Sequence, residues 1–365
     1  MKDRWTPERA WEWVRARPWL RGCNFMSSDC ANRIDQWQEY GFEERLETAD
    51  RELAEAAEIG FNTIRIIGDF TVWQKEHDSY MEHIDRYLET AARHGISTMF
   101  TIANDCSLPK RLYREPEMGE QKYDVGYHGG RKVSQHGSLL GEVGWTVLDD
   151  PALHDEFLRM AREIITAHRN DERICIWDLY NEAGNNNRSD ICQPYLKELF
   201  SLAREIDPIQ PLTADIWGGE SGEVRDLILN LVDLVDFHYY GPYPDTVERA
   251  ERLLRTTGRP VICTEWLNRC LGNDVAEIFP LFYALRIGCW CWGFVAGKYQ
   301  TYEPWESLWK QVEAGRRDID VSKWQHDLLR PSGRPYDPKE IDIIRHFSAL
   351  ADARFAEEQK RGKKE

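Results

Sequence analysis

Short apolar runs alternate along the chain with longer stretches whose apolar residues recur every three or four positions. The short runs predict strands, and the longer stretches predict amphipathic helices. Strands that alternate with helices favour a parallel sheet, and eight such repeats predict a closed (β/α)8 TIM barrel of the α/β class. The eight predicted strands are Leu20–Phe25, Thr63–Ile67, Ser97–Ile102, Ile174–Tyr180, Leu212–Asp215, Leu234–Tyr239, Val261–Glu265 and Cys289–Phe294.

The rival architecture, an open doubly wound sheet, would show a glycine-rich phosphate turn after an early strand, and no G-x-G-x-x-G occurs. Asp150-Pro151 predicts the start of one helix, as an N-cap followed by proline. The last helix is predicted to start near Asp337-Pro338, with a frayed charged tail after Ala356. We expect all 365 residues (1–365) to form a single domain.

Two connections are unusually long, 103–149 after the third strand and 295–336 after the eighth. In a barrel both would leave the C-terminal face, where active sites lie. The first contains aromatic residues and histidines that could wall a pocket, although a decorated surface loop is an equal alternative. These residues are Tyr123, Tyr127, His128, His136 and Trp145.

Composition narrows the class of partner. The formal net charge is -16, which disfavours nucleic acid and anionic membranes as partners. The N-terminus lacks an apolar run, so a secretory signal is not expected, and the apolar stretch 288–297 is too short to span a bilayer. Nine cysteines without a C-x2-C pair favour reduced structural thiols over metal or disulfide sites, and all of this suggests a cytoplasmic protein. The oligomeric state is not indicated.

Two glutamates carry the candidate chemistry. Glu182 follows the fourth predicted strand in the run Ile174-Cys-Ile-Trp-Asp-Leu-Tyr-Asn-Glu182, and Glu265 ends the seventh in Arg259-Pro-Val-Ile-Cys-Thr-Glu265. Strand ends on opposite sides of a barrel mouth would bring the two carboxyls together. Such a pair suits glycoside hydrolysis, in which one carboxyl is protonated and the other is ionised.

With these motifs the chain resembles the retaining glycoside hydrolases of clan A, and most closely the family 5 cellulase and mannanase group, from about Trp19 to Tyr336. The resemblance implies that Glu182 is the acid/base and Glu265 the nucleophile. It further implies roles for five residues around the sugar and the nucleophile: Arg65 keeps the nucleophile ionised, Asn181 binds the sugar 2-hydroxyl, His238 and Tyr240 belong to a His-x-Tyr motif whose tyrosine bonds the nucleophile, and Trp292 stacks under the sugar.

The third strand departs from that pattern. Family 5 members commonly carry a histidine near its end, where this chain reads Ala103-Asn-Asp-Cys106, so Asn104 or Asp105 is predicted to contact the sugar instead. The later segments Gly293–Gln300, His326-Asp327 and Gly333–Asp337 resemble barrel hydrolases labelled by similarity to xylanases, which does not identify the substrate.

Several of these residues have plainer interpretations. Arg65 would also suit a barrel ion pair, and His238 a satisfied core histidine. Trp266 suits packing as well as substrate contact, and Lys298 suits a solvated lysine as well as a hydroxyl or acidic sugar. Asp178 is interpreted as structural, and of Trp290 and Trp292 the latter is favoured as the platform.

The sequence therefore favours a retaining β-glycosidase that acts on small β-linked glycosides or oligosaccharides, without metal or organic cofactor. A transglycosylase with the same two glutamates and a barrel that binds carbohydrate without cleaving it are the alternatives. A metal-dependent enzyme is a weaker one, because no His-x-His occurs at a strand end. Retention predicts carboxyl groups about 5–5.5 Å apart.

Overall fold

A computed structural model describes residues 3–126 and 141–362. Tyr127, His128 and His136, which were predicted to wall a pocket, lie outside the described residues. Eight strands form the barrel, the fifth in two segments: β1 (Arg21–Asn24), β2 (Thr63–Ile67), β3 (Ser97–Asn104), β4 (Ile174–Asn181), β5 (Leu212–Thr213 and Asp215–Ile216), β6 (Val235–His238), β7 (Val261–Trp266) and β8 (Gly288–Cys291).

All barrel strands pair in parallel, in the order β5-β4-β3-β2-β1-β8-β7-β6-β5. The two halves of β5 bond to different neighbours, Leu212–Thr213 to β4 and Asp215–Ile216 to β6. Ala214 alone separates them, so one short run of chain closes the sheet on itself. The predicted (β/α)8 barrel is confirmed.

The helices alternate with the strands and cover the outside of the sheet. Their bounds are α1 (Pro7–Arg15), α2 (Arg33–Trp37), α3 (Phe42–Glu58), α4 (Phe70–Lys75), α5 (His77–Arg93), α6 (His154–Ala167), α7 (Ser189–Ile206), α8 (Gly222–Leu231), α9 (Tyr243–Thr257), α10 (Val275–Leu285), α11 (Glu306–Glu313) and α12 (Pro338–Gly362). Short 3-10 turns occur at Lys110–Leu112, Val147–Asp149 and Arg269–Leu271, and Leu108–Pro109 pairs with Gly144–Trp145 in a small antiparallel ladder.

Two predicted helix ends were wrong. The helix α6 begins at His154 and not at Asp150-Pro151, because Asp150 instead ends a 3-10 turn and its carboxylate accepts a 2.9 Å bond from the amide of Ala152. The helix α12 continues past Ala356 to Gly362. Within the described residues no helix is long and apolar enough to cross a membrane.

The barrel interior changes from apolar at its lower end to polar at its upper end. At the lower end Met99, Ile176, Leu234, Ile262 and Trp290 pack together beneath α1. Eight of the nine cysteines are buried and none forms a disulfide, as predicted for structural thiols. Trp290 is therefore core, and the chemistry must lie above it, at the C-terminal ends of the strands.

Candidate active site

Glu182 lies directly beyond the last residue of β4, in a strained backbone conformation. Its φ is 47°, in the left-handed region that non-glycine residues seldom adopt. Its amide donates a 2.7 Å bond to Oδ1 of Asp215, on the second half of β5. This bond fixes the turn, which aims the carboxyl at the barrel mouth. Strain of this kind persists where surrounding contacts hold it, and it concentrates at functional sites.

Glu265 reaches the same mouth because of a β-bulge in β7. The pairing between β7 and β6 runs Cys263 with Phe237 and then Glu265 with His238, so Thr264 is the extra residue. Regular alternation would send consecutive side chains to opposite faces. The bulge instead allows both Thr264 and Glu265 to face the interior, a frequent device beside active sites.

Glu265 is buried and held from two sides. Its Oε1 accepts a 2.9 Å bond from Arg65, and its Oε2 accepts a 2.6 Å bond from the phenol of Tyr240. Burial is the main cause that raises the pKa of Glu265, and the charge of Glu182 adds to it, whereas Arg65 and the Tyr240 bond oppose the rise. Both partners therefore favour the ionised form of Glu265.

Arg65 combines the two interpretations made from the sequence. Its side chain is fully buried, and its guanidinium bonds to Asp178 at 2.7 Å as well as to Glu265. It also donates to Asn24 at 2.8 Å and to Asn181 at 2.5 Å. The barrel ion pair with Asp178 is thus the support that holds the arginine against Glu265.

Three side chains lie within hydrogen-bond distance of the Glu182 carboxyl. Its Oε1 lies 2.9 Å from Nδ1 of His238, and its Oε2 accepts from the amide of Asn185 at 2.5 Å and from the thiol of Cys106 at 3.1 Å. One oxygen of Glu182 and one of Glu265 lie within 4.8 Å of each other. The two carboxyls therefore share a single reaction volume.

His238 is buried between the two glutamates and is not a bystander in the core. Burial lowers its pKa to about 4, so the ring is neutral near neutral pH. Its Nε2 lies 3.0 Å from the hydroxyl of Thr264, which in turn lies 2.8 Å from Oδ2 of Asp236.

Asn104 lies at the site but holds another residue. Its Oδ1 accepts a 2.8 Å bond from the amide of Asn181, whose oxygen is held by Arg65. Asp105 is not brought to the site, because its buried carboxylate bonds Arg188 and the amide of Gly184, each at 2.7 Å. The suggestion that Asp105 contacts the sugar was wrong.

The remaining predicted residues lie in three different environments. Trp292 lines a recess beside Arg65. Trp266 is 1% exposed and packs against Phe279 and Phe282 of α10, so its assignment as a substrate contact was wrong. Because Trp266 follows the bulge, its side chain points out of the barrel. Lys298 is exposed, and it contacts the β1 loop through its backbone amide alone.

A recess beside Arg65 has an empty volume of about 570 Å³, part of which is open to solvent. Arg33 and Gln36 of α2 line it together with Arg65 and Trp292. Arg33 is half-buried, and its charge acts on the half-buried Asp69. Its guanidinium is a donor that could bind hydroxyl or other oxygen groups of a ligand in the recess.

Three loops are joined along one side of this recess. The buried side chain of Gln300, in the β8 loop, accepts from the amide of Gly126 at 2.7 Å and donates to the carbonyl of Asp124 at 2.5 Å, both in the β3 loop. Gln38, in the β1 loop, makes a reciprocal pair of bonds with Gly119 at 2.6 and 2.8 Å. The side of the recess near β1 and β8 is therefore walled.

Comparison with known proteins agrees with this geometry. A family model described as the TIM barrel domain of glycosyl hydrolases family 2 matches residues 131–305, a stretch that contains both glutamates. A family 5 mannosidase from Rhizomucor miehei is structurally similar, with a TM-score of 0.54, 12% identity, and coverage of 93% of this chain and 94% of that one. Nearly half of the chain thus matches a glycoside hydrolase barrel domain, and the solved structures share its fold. Among curated sequences no protein matches it.

Other solved structures show the same fold. An endo-β-1,4-mannanase from Thermotoga petrophila superimposes with a TM-score of 0.54 at 15% identity, covering 93% of this chain and 78% of that one. An exo-β-1,4-mannosidase from Opitutaceae bacterium strain TAV5 gives 0.58 at 14%, covering 92% and 60%. Identities this low establish the shared fold and leave the substrate to be argued from the site.

Sequence reasoning missed several residues of this candidate site. Cys106 and Asn185 contact Glu182, Asp215 holds its backbone, and Trp305 packs edge-on against Tyr240 at 5.0 Å. Asp215 ends a predicted strand, so its position at a strand end could have marked it. Cys106, Asn185 and Trp305 lie in loops, where periodicity carries no signal.

The spacing of Glu182, His238 and Glu265 would also admit a metal ion. In the described part of the chain, however, each oxygen of Glu265 already accepts a bond from Arg65 or Tyr240. A buried guanidinium 2.9 Å from a ligand oxygen would repel a cation. The contacts of these three residues suit proton transfer better than metal binding.

Proposed function

We propose that this protein is a retaining β-glycosidase in which Glu265 is the nucleophile and Glu182 is the general acid/base. The observation that supports this most is the approach of the two carboxyls to within 4.8 Å. Retaining enzymes place these groups about 5–5.5 Å apart, whereas inverting enzymes leave about 6.5–9.5 Å for a water molecule. A metal or organic cofactor has no step in this mechanism.

The reaction would have two steps. Glu265 attacks the anomeric carbon, and Glu182 transfers its proton to the leaving oxygen, which gives a glycosyl-enzyme ester. Water then attacks the same carbon while Glu182 takes its proton, and Glu265 leaves as a carboxylate. Arg65 and Tyr240 favour the ionised nucleophile at both ends of the cycle, because each donates a hydrogen bond to it.

The recess beside Glu265 would hold the non-reducing sugar. Trp292 offers an aromatic face, and Arg33 offers a polar group for hydroxyls. Gln300 and Gln38 join the loops on that side, so the described part of the chain walls the recess there. We therefore infer exo-type action on short β-linked substrates, and the carbohydrate is the only partner that we propose.

The experiment is a panel of nitrophenyl α- and β-glycosides, with β-mannoside tested first because solved neighbours are named mannanases and mannosidases. We expect one β-glycoside to be cleaved with retention, as shown by NMR of the first-formed product. Glu265→Ala should abolish cleavage, and azide should rescue Glu182→Ala as a β-glycosyl azide. Cleavage that survives Glu265→Ala would contradict the assignment.

The same panel separates the alternatives. Transfer of the sugar to an added acceptor in preference to water would identify a transglycosylase that uses the same two glutamates. Binding of short oligosaccharides without any cleavage would identify a non-catalytic barrel. Loss of activity on treatment with a chelator, restored by a divalent ion, would favour a metal at Glu182, His238 and Glu265.

A further inference from the structure

We propose that Thr264 and Asp236 form a proton relay with His238 that shares one proton between Asp236 and the acid/base Glu182. This inference rests on the proposed function and adds two positioning residues that never touch the substrate. Both are fully buried beneath the two glutamates. A mechanism that uses only a nucleophile and a general acid would require neither residue.

An unbroken series of short contacts joins the two carboxyls. Oε1 of Glu182 lies 2.9 Å from Nδ1 of His238, and Nε2 of the same ring lies 3.0 Å from the hydroxyl of Thr264. That hydroxyl lies 2.9 and 2.8 Å from the two oxygens of Asp236. Thr264 faces the ring because it alternates with the interior Ile262, and the bulge adds Glu265 to the same face.

The bonding capacity of the middle residues makes the series directional. A neutral imidazole has one donor and one acceptor nitrogen, and a threonine hydroxyl has a single hydrogen. If Thr264 donates to Asp236, Nε2–H of His238 donates to Thr264, and Nδ1 must accept a proton from Glu182. If Asp236 carries the proton, every bond reverses, and Nδ1–H donates to an ionised Glu182.

The transfer balances without an external reagent. The proton of Asp236 moves to the oxygen of Thr264, the hydroxyl proton of Thr264 moves to Nε2 of His238, and the Nδ1 proton moves to Oε1 of Glu182. Asp236 becomes a carboxylate and Glu182 a carboxylic acid, while Thr264 and His238 end neutral. The imidazole changes only its tautomer.

Other charged groups also face the ring. Asp215 Oδ2, a buried oxygen with no hydrogen-bond partner among the described residues, lies 3.4 Å from Nδ1 of His238. Glu265 Oε2 lies 3.5 Å from the same nitrogen. The positive charge of Arg65 lowers the pKa of His238 and opposes the rise in the pKa of Asp236. Burial and the neighbouring Asp178 raise the pKa of Asp236 well above that of a free aspartate, which favours its protonated form.

The relay sets the role of His238 beside Glu182. Asn185 and Cys106 donate to Glu182, whereas His238 donates to it in one tautomer and accepts from it in the other. A proton held on Asp236 and returned through His238 keeps the acid form accessible. The basic limb of the pH profile then belongs to the coupled pair and not to Glu182 alone.

The decisive variant is Thr264→Val, which keeps the shape of the side chain and removes the hydroxyl. It leaves Nδ1–H of His238 donating to Glu182. We therefore expect the basic limb of the kcat/KM profile to move to lower pH by at least about one unit, which is a tenfold loss of activity at pH values above the limb. The loss should appear with a poor leaving group such as an alkyl glycoside. A dinitrophenyl glycoside, which leaves without a proton, should be nearly unaffected.

Three variants complete the test. Thr264→Ser should restore the profile, and Asp236→Asn should lower the basic limb as Thr264→Val does. Thr213→Val is the matched control, because Thr213 is an equally buried threonine that bonds only the carbonyl of Leu234. A Thr264→Val profile that coincides with the wild type or with Thr213→Val overturns the relay.

A second readout is independent of turnover. Nitrogen NMR of histidine-labelled protein should show His238 exchanging between two neutral tautomers in the wild type, and fixed as Nδ1–H in Thr264→Val. The same single tautomer in both proteins would overturn the relay even if a glycoside is cleaved. If no glycoside is cleaved, the proposed function fails, and the NMR comparison still decides the relay.

Discussion

The phenol of Tyr240 donates a 2.6 Å hydrogen bond to Oε2 of Glu265. The bond favours the ionised carboxylate, so Tyr240→Phe should raise the pKa of Glu265 further. Since the first step needs an ionised Glu265, the acid limb of kcat/KM should move to higher pH by about one to two units, from the usual strength of a bond to a charged group.

The matched control for this change is Tyr239→Phe. The phenol of Tyr239 bonds Asp245 at 3.3 Å near the surface, outside the site. The acid limb of the Tyr239→Phe variant should coincide with that of the wild type. An unchanged limb in Tyr240→Phe would mean that Glu265 is not the titrating nucleophile.

Arg65→Lys tests how far the site depends on a forked cation. Lysine keeps the charge but cannot donate at once to Glu265, Asp178 and Asn181. We expect kcat to fall about 100-fold or more, and the free energy of unfolding to decrease by about 3 kcal/mol, because buried partners lose their hydrogen bonds. Steady-state kinetics and urea unfolding measure the two effects.

Arg45→Lys provides the comparison, since Arg45 bonds the buried Asp35 at 2.7 Å away from both glutamates. Its activity should stay near that of the wild type even where stability falls. Equal activity losses in the two variants would show that Arg65 acts only through stability.

Cys106 should be the one thiol at which alkylation stops activity. It is half-buried against Glu182, whereas the other eight cysteines are buried. Burial and the charge of Glu182 raise its thiol pKa, so labelling should be slow at neutral pH and faster in alkali. Mass spectrometry of peptides should locate the label, and a sugar that fills the recess should slow it.

Cys106→Ala should resist that inactivation while keeping activity, because the thiol is only a weak donor to Glu182. Inactivation that persists at the same rate in Cys106→Ala would place the sensitive group elsewhere.

Gln300→Ala tests the wall of the recess. Gln300 bonds two backbone groups of the β3 loop and is 2% exposed, so its loss should loosen the wall without touching the glutamates. We expect KM for short glycosides to rise about tenfold with little change in kcat. Gln311→Ala, in the exposed helix α11, should change neither.

Glu52 should make stability depend on pH. Burial raises its pKa to about 8, and its carboxyl accepts from the hydroxyl of Ser28 at 2.5 Å. The protonated form is the one that the fold favours. Stability from this group is therefore full below the unfolded pKa near 4.5 and is lost as pH rises toward 8.

Glu52→Gln should remove this loss, which is on the order of 3 kcal/mol between pH 5 and pH 8. Urea unfolding at the two pH values measures it, with Glu47→Gln on the exposed face of the same helix as the control. Parallel pH dependence in wild type and Glu52→Gln would contradict the expectation.

The sequence was informative where a residue's place follows from strand periodicity. Arg65, Glu182, His238 and Glu265 lie at or near strand ends, so the barrel prediction alone places them at one mouth. The resemblance to clan A implied that Arg65 lies beside Glu265. In the structure Arg65 bonds Glu265, and His238 contacts Glu182.

The failures have physical causes. Trp266 was misplaced because the bulge at Thr264 shifts the alternation by one residue, and a bulge leaves no mark in the hydrophobic pattern. Asn104 supports Asn181, because side-chain pairing across β3 and β4 is a tertiary contact. Cys106, Gln36 and Gln300 depend on loop paths that no periodicity describes.

The pairing of β1 with β8 has a consequence for how the chain acquires its activity. It joins Arg21 to Cys289, so the ring of strands stays open until nearly the whole barrel sequence has left the ribosome. Until then β1 and β7 present unpaired backbone, which invites association with other chains. A fragment that ends before β8 would hold both glutamates and still aggregate instead of catalysing.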